Sequence, residues 1–404
     1  MRKGRSGPVR LLPAGGILCV LLLLLALLCV PTQPRAAQAA AVSTIGGCPL
    51  FPANNIWNTD ISHLPVAANS ANYVVSIGLG GHLHPDFGSG LYNGEPIGIP
   101  YVVVPGNQPR VPVSFQYAAE SDPGPYPLPA TAPIEGGAQS TGDRHVLVVA
   151  RGSCTLYEMF ASYPQQEGRW RAGSGAVWHL TSNALRPATW TSADAAGLPI
   201  LPGLVTYDEV ASGVITHALR LTVSQTQQAF LWPARHMASS RRSPNLPPMG
   251  LRLRLKASVN ISAFSRIDQV ILTALKRYGM FVADNGSSWY ISGSPDNRWN
   301  NDELHALTSI AGSDFEAVDE THLQVRANSG EAAGSAPASS PTRAPAPARV
   351  HIQPAEFRNV PAAVAMSEKG GSAAGMLWAL PGLALALAVP LVLLKRRRRQ
   401  ARGL

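Results

Sequence analysis

Alternation of apolar and polar positions is the clearest signal in the middle of this chain. In Arg110-Val111-Pro112-Val113-Ser114-Phe115-Gln116-Tyr117 the apolar residues fall at 111, 113, 115 and 117. Leu251-Arg252-Leu253-Arg254-Leu255-Lys256 repeats the pattern with its cations on the opposite face. A period of two describes a half-solvated strand, so these basic residues are expected on a wet face. Further strand-like runs are Tyr73–Ile77, Ile99–Val104, His145–Val149, Leu156–Ala161, Val214–Val223, Ala229–Trp232 and Trp289–Ile291. Turns such as Asp122-Pro123-Gly124-Pro125 and Leu201-Pro202-Gly203 separate them. Many short strands between such turns predict a mainly β fold, an antiparallel sandwich or barrel-like core.

The pattern changes in the last third, which reads as α+β. Ile267, Val270, Ile271, Ala274, Leu275 and Tyr278 recur at three- and four-residue spacing, behind Ser265 as N-cap and ahead of Gly279 at C′. Met280–Ala283 and Trp289-Tyr290-Ile291 flank Asp284-Asn285-Gly286-Ser287-Ser288, the composition of a hairpin. Asn301-Asp302-Glu303-Leu304 opens a second short helix.

The two ends carry a different pattern. Arg2, Lys3, Arg5 and Arg10 precede the apolar run Leu11–Val30 and the stretch Ala36-Ala37-Gln38-Ala39-Ala40-Ala41. These are the parts of a secretory signal, expected over 1–40 with cleavage near Ala39 or Ala40; an uncleaved signal anchor is the alternative. Met376–Leu394 is free of charge and is followed by Lys395-Arg396-Arg397-Arg398-Arg399. That predicts a single-pass transmembrane helix over 376–394 with a basic cytoplasmic tail over 395–404. Between the ends, 46–326 reads as one extracellular globular domain, and 327–375, rich in Ala, Pro, Ser and Gly, as a disordered stalk. The expected location is the cell membrane, with the folded domain outside and the membrane as a partner.

This layout changes the meaning of the net charge of +9. Of 33 basic residues, five lie in the signal region and six in the tail, which leaves 22 against 24 acidic residues, a net −2. The electrostatic footprint of a nucleic-acid binder is therefore missing. Cys19 and Cys29 fall in the signal region, which leaves Cys48 and Cys154 in a compartment where a disulfide between them is expected.

Candidate chemistry is diffuse. No Walker loop, dinucleotide fingerprint, zincin motif or Gly-x-Ser-x-Gly elbow occurs. His82, His84 and Asp86 share a period-two register, but three ligands so close leave little room for tetrahedral closure, and His84 and Asp86 are expected to contact substrate instead of metal. Glu135 precedes Gly136-Gly137, and Asp143 precedes Arg144-His145, where Asp143 could orient the imidazole. Glu158 stands alone among Leu156, Met159 and Phe160 and is expected to face solvent, since burying it unpaired is expensive. Glu135, Asp143, His145 and Glu158 are the catalytic candidates. Trp190, Asp194, Trp232, Arg235 and His236 complete a substrate-binding set, because aromatic faces beside carboxylates and arginine suit sugar rings. No cofactor is required, although Asp284, Asp296 and Asp302 stand in an oxygen-rich segment that could hold calcium.

Phe51-Pro52-Ala53-Asn54-Asn55-Ile56-Trp57-Asn58, His84-Pro85-Asp86-Phe87-Gly88, Gly142-Asp143-Arg144-His145, Tyr278-Gly279-Met280 and Ala283-Asp284-Asn285-Gly286 resemble a family of secreted bacterial proteins of unassigned function. The resemblance covers roughly 50–320 and implies an extracellular setting, with no activity attached. Two functions are therefore expected as alternatives. One is a surface enzyme acting on cell-wall or extracellular polysaccharide, a hydrolase using two carboxylates or a lyase using His145 or a tyrosine with Arg235. The other is a non-enzymatic surface protein that binds wall glycan or a protein partner.

Overall fold

The structure, a computed structural model, describes residues 42–334. In chain order the strands are β1 (Thr44–Ile45), β2 (Cys48–Pro49), β3 (His84–Asp86), β4 (Leu91–Tyr92), β5 (Glu95–Pro96), β6 (Tyr101–Val104), β7 (Val113–Phe115), β8 (Val146–Ala150) and β9 (Thr155–Phe160). They continue with β10 (Tyr163–Pro164), β11 (Trp170–Ala172), β12 (Ser174–His179), β13 (Leu219–Val223), β14 (Arg252–Leu255), β15 (Met280–Asn285), β16 (Tyr290–Ser292) and β17 (Phe315–Ala317). Among the described residues four α-helices join them: α1 (Ser70–Ile77), α2 (Tyr207–Ser212), α3 (Arg266–Arg277) and α4 (Asn301–His305).

The core is a mixed β structure with helices toward the C-terminus, not the antiparallel sandwich or barrel expected. A six-stranded sheet has the order β17-β14-β15-β13-β16-β3, and a four-stranded sheet the order β12-β9-β8-β6. Parallel pairs occur in both, β13 with β15 and β16 with β3 in the first, and β6 with β8 in the second. A period-two pattern reports that a strand has two different faces; it carries no information on the direction of the neighbouring strand. In β8 both faces are covered. Leu147 and Val149 join the main core, while Val146, Val148 and Ala150 join a second core with Tyr126, Met159 and Trp170.

Several local expectations change for physical reasons. Tyr73–Ile77 is helical, because Ser70, Val74 and Ile77 bury one face at helical spacing. Ala229–Trp232 forms no strand and makes one bridge, Phe230 to Met249. The segment around Asn285-Gly286 does not close a hairpin, because β13 lies between β15 and β16 and pairs with both. Helix α3 follows the reading closely. Ser265 Oγ accepts from Asp268 N at 3.2 Å, and Gly279 takes φ +63° where a Cβ would meet Leu253 O.

Arg252 and Arg254 are buried, at 1% and 9% exposure, and do not form a wet face. Arg252 donates to the carbonyls of Tyr278, Ile56 and Thr59 and to Glu320 Oε1 at 2.8 Å, over the ring of Phe281. Arg254 donates to the carbonyls of Ile61, Ser62 and Leu64 and to Glu316. The two guanidinium groups thereby fasten the 56–64 segment across the sheet. Alternation identified their face correctly, but a remote segment covers it.

Cys48 and Cys154 form the expected disulfide, tying the N-terminal β1–β2 ribbon to the β8–β9 turn. The fold also runs past 326. Ala327, Asn328, Ser329 and Gly330 accept hydrogen bonds from Arg235, Leu185, Trp232 and Ile56, so this stretch packs back on the domain. No helix among the described residues is long and apolar enough to cross a membrane. This corrects the expected single-pass topology, membrane partner and cell-membrane location. The 376–394 run behind that expectation, the 1–40 signal and most of the 327–375 stalk lie outside the described residues.

Candidate functional site

A cluster of acids gathers on one face of the six-stranded sheet, around Arg220 of β13. Register explains it. Arg220 is flanked across the sheet by Ser292 of β16, and Ser292 pairs with Asp86 of β3, so the three residues share a face. On the other side, Leu221 pairs with Val282 but Thr222 pairs with Asp284. The extra residue, Ala283, is a bulge that turns Asp284 to the Arg220 face; without it Asp284 would point the other way.

Two ion pairs form a buried floor. Arg220 Nε and Nη2 each lie 3.1 Å from Asp194 Oδ2, Nη1 donates to Ser292 Oγ at 2.7 Å, and Nη2 lies 3.8 Å from Asp284 Oδ2. Beside it, His145 Nδ1 faces Glu135 Oε2 at 2.6 Å and Nε2 faces the Ala193 carbonyl at 3.0 Å. Both partners are acceptors, so the ring carries two protons and a charge. Burial works against that charge, but the Glu135 carboxylate more than reverses the effect and pushes the imidazole up to about 9. The same exchange holds Glu135 below its ordinary range, with burial opposing and His145 prevailing.

Asp194 and Asp284 compete for one guanidinium. Asp194 is sealed, and burial raises its carboxyl to about 6 against the pull of Arg220 and His145. Asp284 keeps 23% of its side-chain surface, and burial, together with Asp194, raises it to about 7 while Arg220 opposes. Asp143, exposed, is close enough to add to the rise at Asp284 and to favour the charge on His145. Asp86, also open to solvent, is raised by loss of water and by Glu135, while His84 and Arg220 pull it down. The result is a floor of Arg220–Asp194 and His145–Glu135 beneath a rim of Asp86, Asp143 and Asp284. His84 stands one rung along the sheet from Asp86 and stacks on Tyr290 with ring centroids 4.0 Å apart.

The remaining sequence candidates lie elsewhere or are engaged. Glu158 is fully buried, and its carboxylate accepts from Ile200 N, Leu201 N at 2.9 Å and Trp178 Nε1 at 3.0 Å. Burial raises it and these donors oppose, so it joins a strand to the 200–201 turn. Arg235 donates to the carbonyls of Arg186 and Ala327 and to Asn328, Trp232 Nε1 donates to Ser329 O, and His236 Nδ1 bonds Ala195 O. Trp190 packs against the Arg186 guanidinium. This second group braces the 186–197 loop that carries Asp194. Of the acids considered for calcium, Asp284 faces Arg220, Asp296 pairs with Arg298, and Asp302 lies in the first turn of α4. Among the described residues no group of three His, Cys, Asp or Glu side chains is placed so that it could hold a metal ion.

Arg220 and Ser292 escaped the reading of the sequence, and Asp284 entered it as a turn residue and a candidate calcium ligand, not as a partner of Arg220. A signal was present: Arg220 interrupts Leu219-Arg220-Leu221-Thr222-Val223 as Arg252 interrupts its own strand, and Asp284 ends the apolar run Met280–Ala283. Comparison with known proteins finds no matching family model, curated protein or solved structure.

Proposed function

We propose that this domain is a carbohydrate-active hydrolase, with Asp284 as general acid and Asp143 as general base. The carrying observation is a pair of carboxyl groups on one guanidinium, Asp194 sealed and Asp284 open to solvent, the latter aimed there by a strand bulge. Glycoside hydrolysis needs one carboxyl group that holds its proton and another free to accept one. Asp284 gives its proton to the leaving glycosidic oxygen as the bond to the anomeric carbon breaks. A water oxygen bonds to that carbon and passes its proton to Asp143, and solvent resets both groups. Elimination is less well supported, since both His145 nitrogens are engaged and Arg235 is spent on carbonyls.

The rim also favours a substrate class. Asp86, Glu135, Asp143, Asp194 and Asp284 stand around Arg220 and His145, with His84 beside Asp86, an acidic excess that suits neutral or amino sugars and disfavours uronates. Reducing-end release from β-glucan, xylan, chitosan and polygalacturonate tests the reading. Turnover of a neutral or amino polymer should fall on the order of a hundredfold in both Asp284→Asn and Asp143→Asn. No turnover of any of the four polymers, or unchanged turnover in both variants, rejects it.

A further inference from the structure

A short hairpin beside the rim has a tip that packing does not explain. Strands β4 and β5 pair Leu91 with Pro96 and Tyr92 with Glu95. The turn between them has Asn93 at φ +53° and Gly94 at φ +86°, the paired positive values of a tight type I′ hairpin turn. Its base is fixed. Gly88 N donates to Ile97 O at 3.2 Å, while the Asn301 side chain accepts from Ser89 N at 2.9 Å and donates to Ser89 O at 3.0 Å. Its tip is bare, with Leu91 66% and Tyr92 71% exposed.

An isolated exposed aromatic is ordinary, so position decides the matter. Directly paired residues stand side by side on one face of a two-stranded ribbon, which makes Tyr92 the neighbour of Glu95. Glu95 in turn lies against the Glu135 turn: a Cβ on Gly136 would stand 2.9 Å from Glu95 Oε2. The other leg of the hairpin rises from Ser89, three residues beyond Asp86. Tyr92 thus stands on a ribbon with an anchored base, one leg of which follows Asp86 while the other lies against the Glu135 turn.

We propose that Tyr92 is a stacking platform for a sugar ring of the bound polymer, with Glu95 accepting hydrogen bonds from its hydroxyls. This rests on the hydrolase reading and adds a binding subsite to it. A phenol suits the task, since its face takes the C–H side of a pyranose while its hydroxyl stays in water. Uniform binding of this kind serves the ground state and the transition state alike, so its loss appears in KM and not in kcat.

The test uses the full chain and three neutral hexasaccharides, maltohexaose, cellohexaose and xylohexaose. Tyr92→Ala should raise KM roughly tenfold with kcat within about twofold, and Tyr92→Trp should restore KM. In an Asp284→Asn background, where turnover is slowed on the order of a hundredfold, calorimetric titration with the same hexasaccharide should show a matching loss of affinity for Tyr92→Ala. The tip is exposed, so circular dichroism should find the fold of the alanine variant unchanged. Turnover by the wild type with an unchanged KM in Tyr92→Ala, or a fall in kcat alone, overturns the platform and leaves the hydrolase standing. Absence of turnover and binding in the wild type for all three sugars overturns the platform, and the hydrolase reading falls with it only if the wild type also fails to turn over chitosan.

Discussion

Replacing Glu135 by glutamine isolates the charge that holds the floor of the site. In the native protein the carboxylate lies 2.6 Å from His145 Nδ1, the other ring nitrogen donates to Ala193 O, and the pair is shielded from solvent on the histidine side. The imidazole is pushed from 6.5 to about 9. A raised histidine contributes stability that is complete below the unfolded value of 6.5 and is lost as pH rises through the folded value of about 9. At about 1.4 kcal/mol per tenfold change in proton affinity, the contribution is about 3 kcal/mol on the acid side. Glutamine keeps the shape and one hydrogen bond but has no charge to hold the second proton. Urea unfolding of both proteins from about pH 6 to about pH 10, with m unchanged, therefore predicts a gap of about 3 kcal/mol that closes as pH rises. A constant gap across that range would mean that Glu135 acts through packing and hydrogen bonding alone, and the argument from charge would fail. Nitrogen-15 chemical shifts of the His145 ring offer a second check, since the variant ring should lose its second proton below pH 7.

Three further outcomes follow from buried features outside the site. Arg252→Met leaves Glu320 without its cation and three carbonyls without a donor, so a loss of about 3–5 kcal/mol is expected in chemical denaturation; a loss under 1 kcal/mol would show that the guanidinium is not holding the 56–64 segment. Reduction of Cys48–Cys154, which closes a loop of 106 residues, should lower stability by about 4–5 kcal/mol on the chain-entropy estimate, and an unchanged melting temperature under reductant would contradict it. Asp268 is fully buried with neither carboxylate oxygen hydrogen-bonded, and burial raises it to about 6 while Ser265 opposes. Its folded state holds the proton longer than the unfolded chain, so its contribution falls as pH rises from 3.8 to about 6. Asp268→Asn should accordingly stabilise the protein at pH 8 but not at pH 4, as read from melting temperatures; a variant less stable at pH 8 would refute this.

Local elements were legible where short-range chemistry decides them. Ser265, the 267–278 periodicity and Gly279 define α3 without help from the rest of the chain. Cys48 and Cys154 were paired once the other two cysteines were set aside with the signal region. Glu135 and His145 were both singled out, and the structure brings them into contact. Long-range features were hidden. Burial of Arg252 and Arg254 depends on a segment about 190 residues away in the chain, whose carbonyls they bind. Glu158 was expected in solvent because burying it unpaired is expensive; it is buried, and its charge is met by backbone N–H groups of the 200–201 turn. Asp284 reaches Arg220 only because Ala283 adds one residue to β15, and a one-residue change of register leaves no trace in hydropathy.

The central claim is that Asp284 holds a proton near neutrality at the open end of a shared guanidinium. Carbon-13 titration of the Asp284 carboxyl group, assigned by comparison with Asp284→Asn, measures this directly. The account predicts a midpoint at about 7, moving down when Asp194 is replaced by asparagine, because the second charge on Arg220 is then removed. A midpoint near the ordinary aspartate value of 3.8, unaffected by Asp194→Asn, would contradict it and leave the site without its acid.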